Sequence, residues 1–285
     1  MFAIGVAAAL VASALFNVGI VLQALDARAA PRSLGLHLSL LRRLLARPRW
    51  VVGFVLGVIG IGPQVLAYAD APFVVVQPAL ALGLVIVLLL GHRMMDEGVT
   101  PRDVIGVSAI IAGVALLAWG APAHNEVDRG WPSLVALVGA VSLLGLSPFL
   151  VRARWAERGM PIIIAAGCGF GATNIATKLL GDDVNAGHYA NAAIWAAVGL
   201  AMGVVATLTT MTAFQRCRAT TVVPVSTAVQ TFLPIVLEPL FLVERWSSAV
   251  AYGAPIIFGL ALALLGTVLV SGTSAVSELV AGAQG

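Results

Sequence analysis

Charge is scarce in this chain. Only 10% of its 285 residues are Asp, Glu, Lys or Arg, whereas 60% are hydrophobic. A soluble domain of this composition would leave a large apolar surface in water, and the mean hydropathy of +1.01 predicts an integral membrane protein. Lysine occurs once, at Lys178, and the arginines are scattered among short loops. This distribution excludes a basic domain that binds nucleic acid.

Groups that carry chemistry in enzymes are also missing. The sequence has no Ser, His and Asp set, no phosphate-binding glycine loop and no pair of catalytic carboxylates, so we expect neither an enzyme nor a bound cofactor. Cys168 and Cys217 have neither a metal-ligand spacing nor a disulfide framework. The first residues lack the basic flank of a secretory signal, so the first apolar run is predicted to remain as a helix.

Long apolar runs make up most of the sequence. A helix needs about 20 residues to cross a hydrocarbon core of about 30 Å, and nine segments reach that length. The predicted membrane helices span 2–23, 50–69, 72–91, 102–120, 132–151, 160–180, 190–214, 221–243 and 250–271.

The stretch 33–47, between the first two predicted helices, is too short and too basic to span. Leucines recur in it at helical spacing opposite two arginines: Leu34, Leu38, Leu41 and Leu45 against Arg42 and Arg43. This pattern predicts a helix in the headgroup plane, either as a sensor of anionic lipid or as a structural linker.

Two stretches, 51–120 and 197–266, repeat one pattern at an offset of about 146 positions. The matched pairs are Gly53 and Gly199, Gly57 and Gly203, Ala67 and Ala213, Pro78 and Pro224, Gly113 and Gly259, and Gly120 and Gly266. An odd number of crossings separates each helix from its counterpart, so the two copies should be inverted. The predicted fold is an all-α integral membrane protein with nine transmembrane helices, in which a connector helix joins two inverted four-helix repeats.

This architecture divides the chain into four parts. They are a first repeat at 1–120, which includes the interfacial helix at about 33–47, a connector with helix five at 121–159, a second repeat at 160–272, and a cytoplasmic tail at 273–285.

The arginines predict the orientation, because cytoplasmic loops keep an excess of Lys and Arg. Thirteen basic residues fall in the odd-numbered loops, and only Arg129, Lys178 and Arg245 fall on the other side. We therefore expect a multi-pass protein of the cytoplasmic membrane with its amino terminus outside and its carboxyl terminus in the cytoplasm.

Polar side chains interrupt the apolar helices mainly on two faces. At about 100° per residue, helix eight carries a polar stripe within an arc of about 100°, and helix six carries one within about 140°. Such faces either line a solute path or bond neighbouring helices. The candidate substrate-binding residues are Asn17, Gln64, Gln77, Thr173, Asn174, Thr177, Thr210, Thr227, Gln230, Thr231 and Glu238.

Three charged residues are candidates for a gate. Lys178 and Glu238 lie at similar depths on helices six and eight, and ionisable groups inside a membrane cost about 2.5 to 3.5 kcal/mol on insertion scales. A pair between them would close the outer side until solute or a proton competes for the carboxylate. The alternative is that Lys178 snorkels to headgroups and Glu238 reaches the outer interface. Asp70, in the turn before helix three, belongs to an acidic outer face.

Several segments resemble known transporters. The segments are Ala14–Gln23 (ALFNVGIVLQ), Tyr68–Pro78 (YADAPFVVVQP), Gly167–Lys178 (GCGFGATNIATK) and Val222–Trp246. Each copy resembles a four-helix unit of the small multidrug resistance type, and the whole chain resembles the EamA/NIPA-like magnesium transporter family of the drug/metabolite transporter superfamily. In the region of helix one where the small multidrug resistance pattern has an acidic residue, this sequence has Phe16 and Asn17.

These observations predict a secondary transporter that moves a small polar solute by alternating access. The resemblance implies a divalent cation such as magnesium. One alternative is an exporter of an organic metabolite, a drug or a lipid-linked headgroup, which a neutral pocket of Gln and Thr side chains would suit. Another is a membrane scaffold subunit that transports nothing. The expected partners are the solute or ion, membrane lipids and a second copy of the chain in a homo-oligomer.

Overall fold

A computed structural model describes residues 2–70, 76, 79–120, 131–151, 159–242 and 254–282. Some side chains within these ranges lie outside the description, including those of Lys178 and of 234–242 and 271–282. Regular secondary structure in the described residues is entirely helical. The predicted all-α class is therefore confirmed.

Ten α-helices and one short 3-10 turn follow one another along the described chain. The helices are α1 (Phe2–Arg28), α2 (Leu38–Leu45), α3 (Pro48–Asp70), α4 (Gly83–Met95), α5 (Pro101–Gly120), α6 (Trp131–Leu150), α7 (Gly159–Asn185), α8 (Tyr189–Phe214), α9 (Ala219–Leu242) and α10 (Ala254–Gly282). The 3-10 turn, Arg32–Leu34, lies between α1 and α2.

A helix occupies each predicted membrane segment and the predicted interfacial segment. Among the described residues, six helices are long and apolar enough to cross a membrane, and three shorter apolar helices cover 79–95, 219–233 and 254–270. This is the pattern of a multi-pass membrane protein. Four predicted ends came too early: α1 continues to Arg28 rather than 23, α4 to Met95 rather than 91, α7 to Asn185 rather than 180, and α10 to Gly282 rather than 271. In α1 and α10, good helix formers such as Ala and Leu continue the helix past polar residues that suggested a loop.

The interfacial helix α2 presents different faces to the protein and to its surroundings. Leu40 and Leu44 are fully buried in the main core, whereas Leu38 is 68% exposed and Leu45 is 60% exposed. The Arg42 side chain is exposed beside them. A short helix with buried leucines, exposed leucines and an exposed arginine fits the predicted position in the headgroup plane.

Close antiparallel packing joins α1 to α3. A Cβ built on Gly19 would lie 2.5 Å from the carbonyl oxygen of Gly53, and a Cβ on Gly53 would lie equally close to that of Gly19. In the antiparallel pair α7 and α8, Thr173 takes the corresponding place and donates a hydrogen bond of 3.5 Å to the carbonyl oxygen of Gly199. Both pairs therefore approach closely at a position with a small residue.

Parallel contacts tie α4 to α1 and α9 to α7. Ser13 Oγ donates a hydrogen bond of 2.7 Å to the carbonyl oxygen of Leu80, and a Cβ on Gly83 would collide with Ser13 and Asn17. On the other side, a Cβ on Gly167 would lie 2.6 Å from the Cβ of Val229.

The antiparallel pair α5 and α10 joins the two halves of the chain. A Cβ on Gly113 would lie 2.7 Å from the carbonyl oxygen of Gly259, and the reverse distance would be 2.8 Å. Gly106 and Gly266 meet in the same way about two helical turns away. These glycines allow the two backbones to approach almost to contact.

Candidate functional site

Glu97 is a buried carboxylate, 4% exposed, at the end of the molecule where α9 begins. Its Oε1 accepts hydrogen bonds from Arg28 Nη2 at 2.5 Å and from the backbone N–H of Ala219 at 2.7 Å, and its Oε2 accepts one from the N–H of Thr220 at 2.9 Å. The N–H groups that open a helix have no partner within it, and the helix dipole favours a negative charge there. Glu97 therefore joins α1 to α9 through charge-assisted hydrogen bonds.

The backbone around Glu97 fixes the position of its carboxylate. Asp96 ends α4 in the left-handed region, with φ of 50°, and the N–H of Glu97 then donates to the carbonyl oxygen of Gly91 at 3.2 Å. Gly91 itself has no room for a side chain, because a Cβ there would lie 2.7 Å from Cγ2 of Thr220 and 3.2 Å from Glu97 Oε2. The tight turn thus brings the carboxylate directly against the start of α9.

Asp103 is a second buried carboxylate beside Glu97, with no exposed surface. It accepts hydrogen bonds from the N–H and the hydroxyl of Thr100 at 2.8 and 2.9 Å, and its own N–H donates to the Thr100 hydroxyl at 3.3 Å. This reciprocal arrangement is a capping box at the start of α5. Arg218 Nη2 lies 3.8 Å from Asp103 Oδ2 and donates to the carbonyl oxygen of Gly98. We refer to Arg28, Glu97, Asp103 and Arg218 as the Glu97 cluster.

Further hydrogen bonds hold the connection between α8 and α9 against the early part of the chain. Arg28 Nη2 donates to the carbonyl oxygen of Cys217 at 3.2 Å. Gln215 Nε2 donates to the carbonyl oxygen of Pro31 at 3.1 Å, and Thr212 Oγ1 accepts from the N–H of Leu36 at 2.9 Å. The segment that leads into α9 is therefore bonded at several points to the loop after α1.

Sequence analysis missed this cluster. The loop between α4 and α5 was counted only for its arginines, because the positive-inside rule gives little weight to acids. A local signal was present: Thr100 is followed by Pro101 and, three residues after Thr100, by Asp103, the order of a helix start with a capping box. No local pattern indicates that Glu97 caps α9, because its partners are more than a hundred residues away.

Asp26 is a third buried acid that sequence analysis did not consider. It lies in the last two turns of α1, beyond the predicted helix end at 23, and is 7% exposed. Its Oδ2 has no hydrogen-bond partner, and neither has Oε1 of Gln215. The contacts described for Arg28, two residues further on, go to Glu97 and Cys217 instead.

The predicted stripe on α9 is half-buried where its side chains are described. Thr227, Gln230 and Thr231 are all of intermediate exposure, and the Thr231 hydroxyl donates to the carbonyl oxygen of Thr227 at 2.9 Å. At about 100° per residue, Thr220, Thr227 and Thr231 fall within about 40° of one another on the helix surface. The side chain of Glu238 lies outside the described part of the structure.

In the predicted stripe on α7, some side chains form hydrogen bonds to backbone carbonyl groups and others are exposed. Thr173 bonds to Gly199 of α8, and the Thr177 hydroxyl donates to the Thr173 carbonyl oxygen at 2.8 Å. Asn174 and Thr177 are exposed. Asn174 falls within about 20° of the face of Gly167, the residue that packs on α9. The side chain of Lys178 lies outside the description.

The other predicted site residues are dispersed over the bundle. Asn17 donates a hydrogen bond of 2.8 Å to the carbonyl oxygen of Ser13 and packs at the start of α4. Gln64 is half-buried next to Pro63 within α3. Thr210 is 3% exposed and its hydroxyl has no hydrogen-bond partner. The two remaining positions are Asp70, half-buried at the last residue of α3, and Gln77, which lies outside the described residues.

Among the described residues, no group of three His, Cys, Asp or Glu side chains comes together that could ligate a metal ion without water. The polar groups around the stripes are amides, hydroxyls and backbone carbonyls. Mg²⁺ usually keeps several waters and is bound through one or two carboxylates, which the described side chains of the stripes do not provide.

A model of a known protein family matches just under half of the chain. The family model described as magnesium transporter NIPA matches residues 2–143. No solved structure matches.

Similar curated proteins come from Arabidopsis thaliana. The chain is 32% identical over 117 residues to probable magnesium transporter NIPA9. This match covers 41% of this chain and 33% of NIPA9. It is 31% identical over 90 residues to probable magnesium transporter NIPA6, a match that covers 30% of this chain and 27% of that relative. It is 33% identical over 90 residues to probable magnesium transporter NIPA7, a match that covers 30% of this chain and 28% of that relative. The chain therefore spans a third or less of the curated relatives that it matches, and the similarity identifies it as related to proteins named as magnesium transporters.

Proposed function

We propose that this chain is a NIPA-like secondary transporter of the drug/metabolite transporter superfamily that carries Mg²⁺ across the cytoplasmic membrane. The match of residues 2–143 to the magnesium transporter family supports the substrate class. The single observation that carries the transport mechanism is the contrast between the two ends of α9. At one end the Glu97 cluster seals α9 against α1 and α4, whereas further along the helix its polar stripe is only half-buried.

Two inverted four-helix repeats explain the packing of the helices. If Phe16 aligns with Phe170 and Gly53 with Gly199, then the contact of Gly19 with Gly53 corresponds to that of Thr173 with Gly199. In the same alignment, Ser13 against Gly83 corresponds to Gly167 against Val229.

The interface between the repeats fits the same relation. Gly113 and Gly259 occupy equivalent positions, and each faces the other in the antiparallel pair α5 and α10. A pseudo-twofold axis through this contact relates the two copies. We propose nine membrane spans on this basis, with α6 as the connector.

The proposed solute path follows the stripe of α9. Thr220 packs against Gly91 of α4, and the helix angle puts Thr227 and Thr231 on that same side. The stripe therefore faces α4, and α4 and α9 belong to different repeats. Carriers of this architecture bind their substrate at the interface between the repeats. Gln230 and Glu238 complete the path on α9. We assign the remaining predicted residues to the same path: Asn17, Gln64, Gln77, Thr173, Asn174, Thr177 and Thr210.

The path is open on the side away from the Glu97 cluster. Gly167 on α7 is in tight contact with α9, yet Asn174, on nearly the same face two turns further, is exposed. These two helices of the second repeat thus separate along their length, and we propose that the cleft between the repeats widens in the same direction. We propose that this wide side is the outer one and that the Glu97 cluster faces the cytoplasm, in agreement with the arginine distribution.

Lys178, Glu238 and Asp70 remain the proposed outer gate. Gly167 lies against Val229, and α7 and α9 run parallel, so the backbones of Lys178 and Glu238 are at similar heights. The helix angles put Lys178 on the side of α7 that faces α9, whereas Glu238 lies on the side of α9 that faces α4. Both helices belong to the second repeat, so the proposed pair would form between α7 and α9 at the outer rim of the cleft.

Transport by purified protein in liposomes tests this function. We expect saturable Mg²⁺ entry, measured with a trapped indicator, that exceeds the entry into liposomes without protein. A panel of organic solutes under a proton gradient is measured in parallel, because the neutral amides and hydroxyls of the stripe also suit a hydrogen-bonding organic solute. Flux of an organic solute without Mg²⁺ flux would replace the cation by that second candidate, and no flux at all would leave a non-transporting scaffold.

A further inference from the structure

The Glu97 carboxylate binds partners from both halves of the chain at once. Arg28 comes from the end of α1, and the N–H groups of Ala219 and Thr220 come from the start of α9. The two hydrogen bonds to α9 are removed from bulk water, because the Glu97 side chain is 2% exposed and Ala219 and Thr220 are fully buried, whereas the Arg28 side chain is 28% exposed. Loss of the carboxylate would leave the two N–H groups and the guanidinium without their shared acceptor, which is costly in a buried setting.

We propose that Glu97 is the latch of the inner gate: its hydrogen bonds to Arg28 and to the start of α9 hold the cytoplasmic side closed, and their release opens it. This inference rests on the proposed transport function. Glu97 is a positioning residue in this role, because it holds the halves together without contacting the solute.

The position of the latch relative to the stripe supports this role. Thr220, whose N–H bonds to Glu97, lies on the same side of α9 as Thr227 and Thr231. Thr227 is seven residues further along the helix, or about 10 Å. The Glu97 cluster therefore forms the floor beneath the stripe, where Gly91 and Thr220 are packed without space between them. A solute on the stripe reaches the cytoplasm only if this floor opens.

The chain contains its own reporter for the state of this floor. Cys217 is half-buried: its Sγ lies against Gly159, its side chain packs on the main core, to which both halves contribute, and its carbonyl oxygen accepts from Arg28. Release of the Arg28 and Glu97 contacts should therefore expose the Cys217 thiol to the cytoplasmic side. The other cysteine, Cys168, is 3% exposed and is replaced by alanine throughout, so that labelling reports Cys217 alone.

The experiment measures reaction of Cys217 with a membrane-impermeant maleimide applied from the cytoplasmic side of vesicles. Glu97→Gln keeps the shape of the side chain but removes its charge, and we expect labelling at least about fivefold faster than in the parent. Arg28→Gln, which leaves the bonds to α9 in place, should show a smaller increase. Asp96→Asn is the matched control: this neighbouring acid is exposed, and its labelling rate should equal that of the parent.

A second reporter distinguishes a gate from simple loosening. Asn174→Cys, added to a variant that also carries Cys217→Ser, reports the proposed outer side, where Asn174 of α7 is exposed. Opening of the floor should close that side, so Glu97→Gln is expected to slow labelling at position 174 by at least about fivefold.

Each outcome decides for or against the latch. Faster labelling at Cys217 together with slower labelling at position 174 supports it. Faster labelling at Cys217 alone means that the floor has only loosened. Unchanged labelling at both sites in Glu97→Gln and Arg28→Gln means that Glu97 holds nothing closed, provided that both variants elute like the parent in size-exclusion chromatography. Either result overturns the latch. The labelling needs no transported solute, so a latch found in a protein without Mg²⁺ flux would refute the proposed substrate and keep the gate.

Discussion

Gly19 and Gly53 meet at the crossing of α1 and α3, where a Cβ on either would lie 2.5 Å from the other's carbonyl oxygen. Gly53→Leu should therefore push the helices apart and lower the free energy of unfolding by about 1 to 3 kcal/mol, the usual cost of overpacking. Thermal unfolding in detergent measures this loss. Gly62→Ala is the control on the same helix, because nothing lies within 4 Å of a Cβ at that position. Equal melting temperatures for both variants would contradict the close crossing.

The capping box of α5 gives a prediction for stability. Thr100→Ala removes the acceptor for the Asp103 N–H and one donor to its carboxylate, so we expect a loss of about 1 kcal/mol. Asp103→Ala also removes the partner of Arg218 and should cost more. Equilibrium unfolding of the two single variants and the double variant measures both effects. Because the residues share hydrogen bonds, their losses should not add, and additive losses would rule out a reciprocal cap.

The stripe of α9 predicts a loss of transport without a loss of folding. Gln230→Ala and Thr231→Val remove polar atoms from a half-buried face, so the initial rate of Mg²⁺ entry into liposomes should fall at least about fivefold. Thr209→Val is the matched control, because that hydroxyl is buried in α8 and donates to the carbonyl oxygen of Val205. Full transport by both stripe variants would remove this face from the solute path.

A charge swap tests the proposed outer gate. Lys178→Glu and Glu238→Lys should each reduce Mg²⁺ flux, because each leaves two like charges at the same height of the cleft. The double variant restores opposite charges and should recover at least about half of the parental flux if the pair forms during the cycle. Flux is measured in liposomes at equal protein content. Two inactive single variants with an equally inactive double variant would leave no role for the pair.

Orientation is tested by fusions at the two termini. A green fluorescent protein joined after Gly285 should be fluorescent in cells, because this reporter folds in the cytoplasm, where the arginine-rich loops place the carboxyl terminus. An epitope before Met1 should bind antibody on intact cells. A dark carboxyl-terminal fusion with normal membrane levels would reverse the proposed orientation, and with it the assignment of the inner gate.

The helices were predictable because their causes are local. Apolar runs of sufficient length specify helices in a membrane, and the leucine spacing at 34–45 specified the interfacial helix. Helix ends were less certain where polar residues continue a helix, as at Asp26 in α1. The contacts around Glu97 were not predictable, because the partners Arg28, Glu97 and Ala219 are far apart in sequence and meet only in the assembled bundle.

The candidate site was predictable as a set of residue types but not as a geometry. Hydropathy identifies Thr227 and Gln230 as polar positions in an apolar run, and the helix period puts them on one side of α9. Which neighbour this side faces depends on the contact of Thr220 with Gly91, a relation between two separate helices. The bonding of Thr173 to Gly199 likewise follows from packing and not from either segment alone.

The meeting of Gly113 with Gly259 has a consequence for the origin of the chain. Both residues occupy one position of the proposed repeat, so in that proposal the contact between them is one in which a surface binds its own copy. A contact of that kind is what a symmetric dimer uses. The proposed repeats would therefore make the crossing of α5 and α10 the equivalent, within a single polypeptide, of the interface of a symmetric dimer.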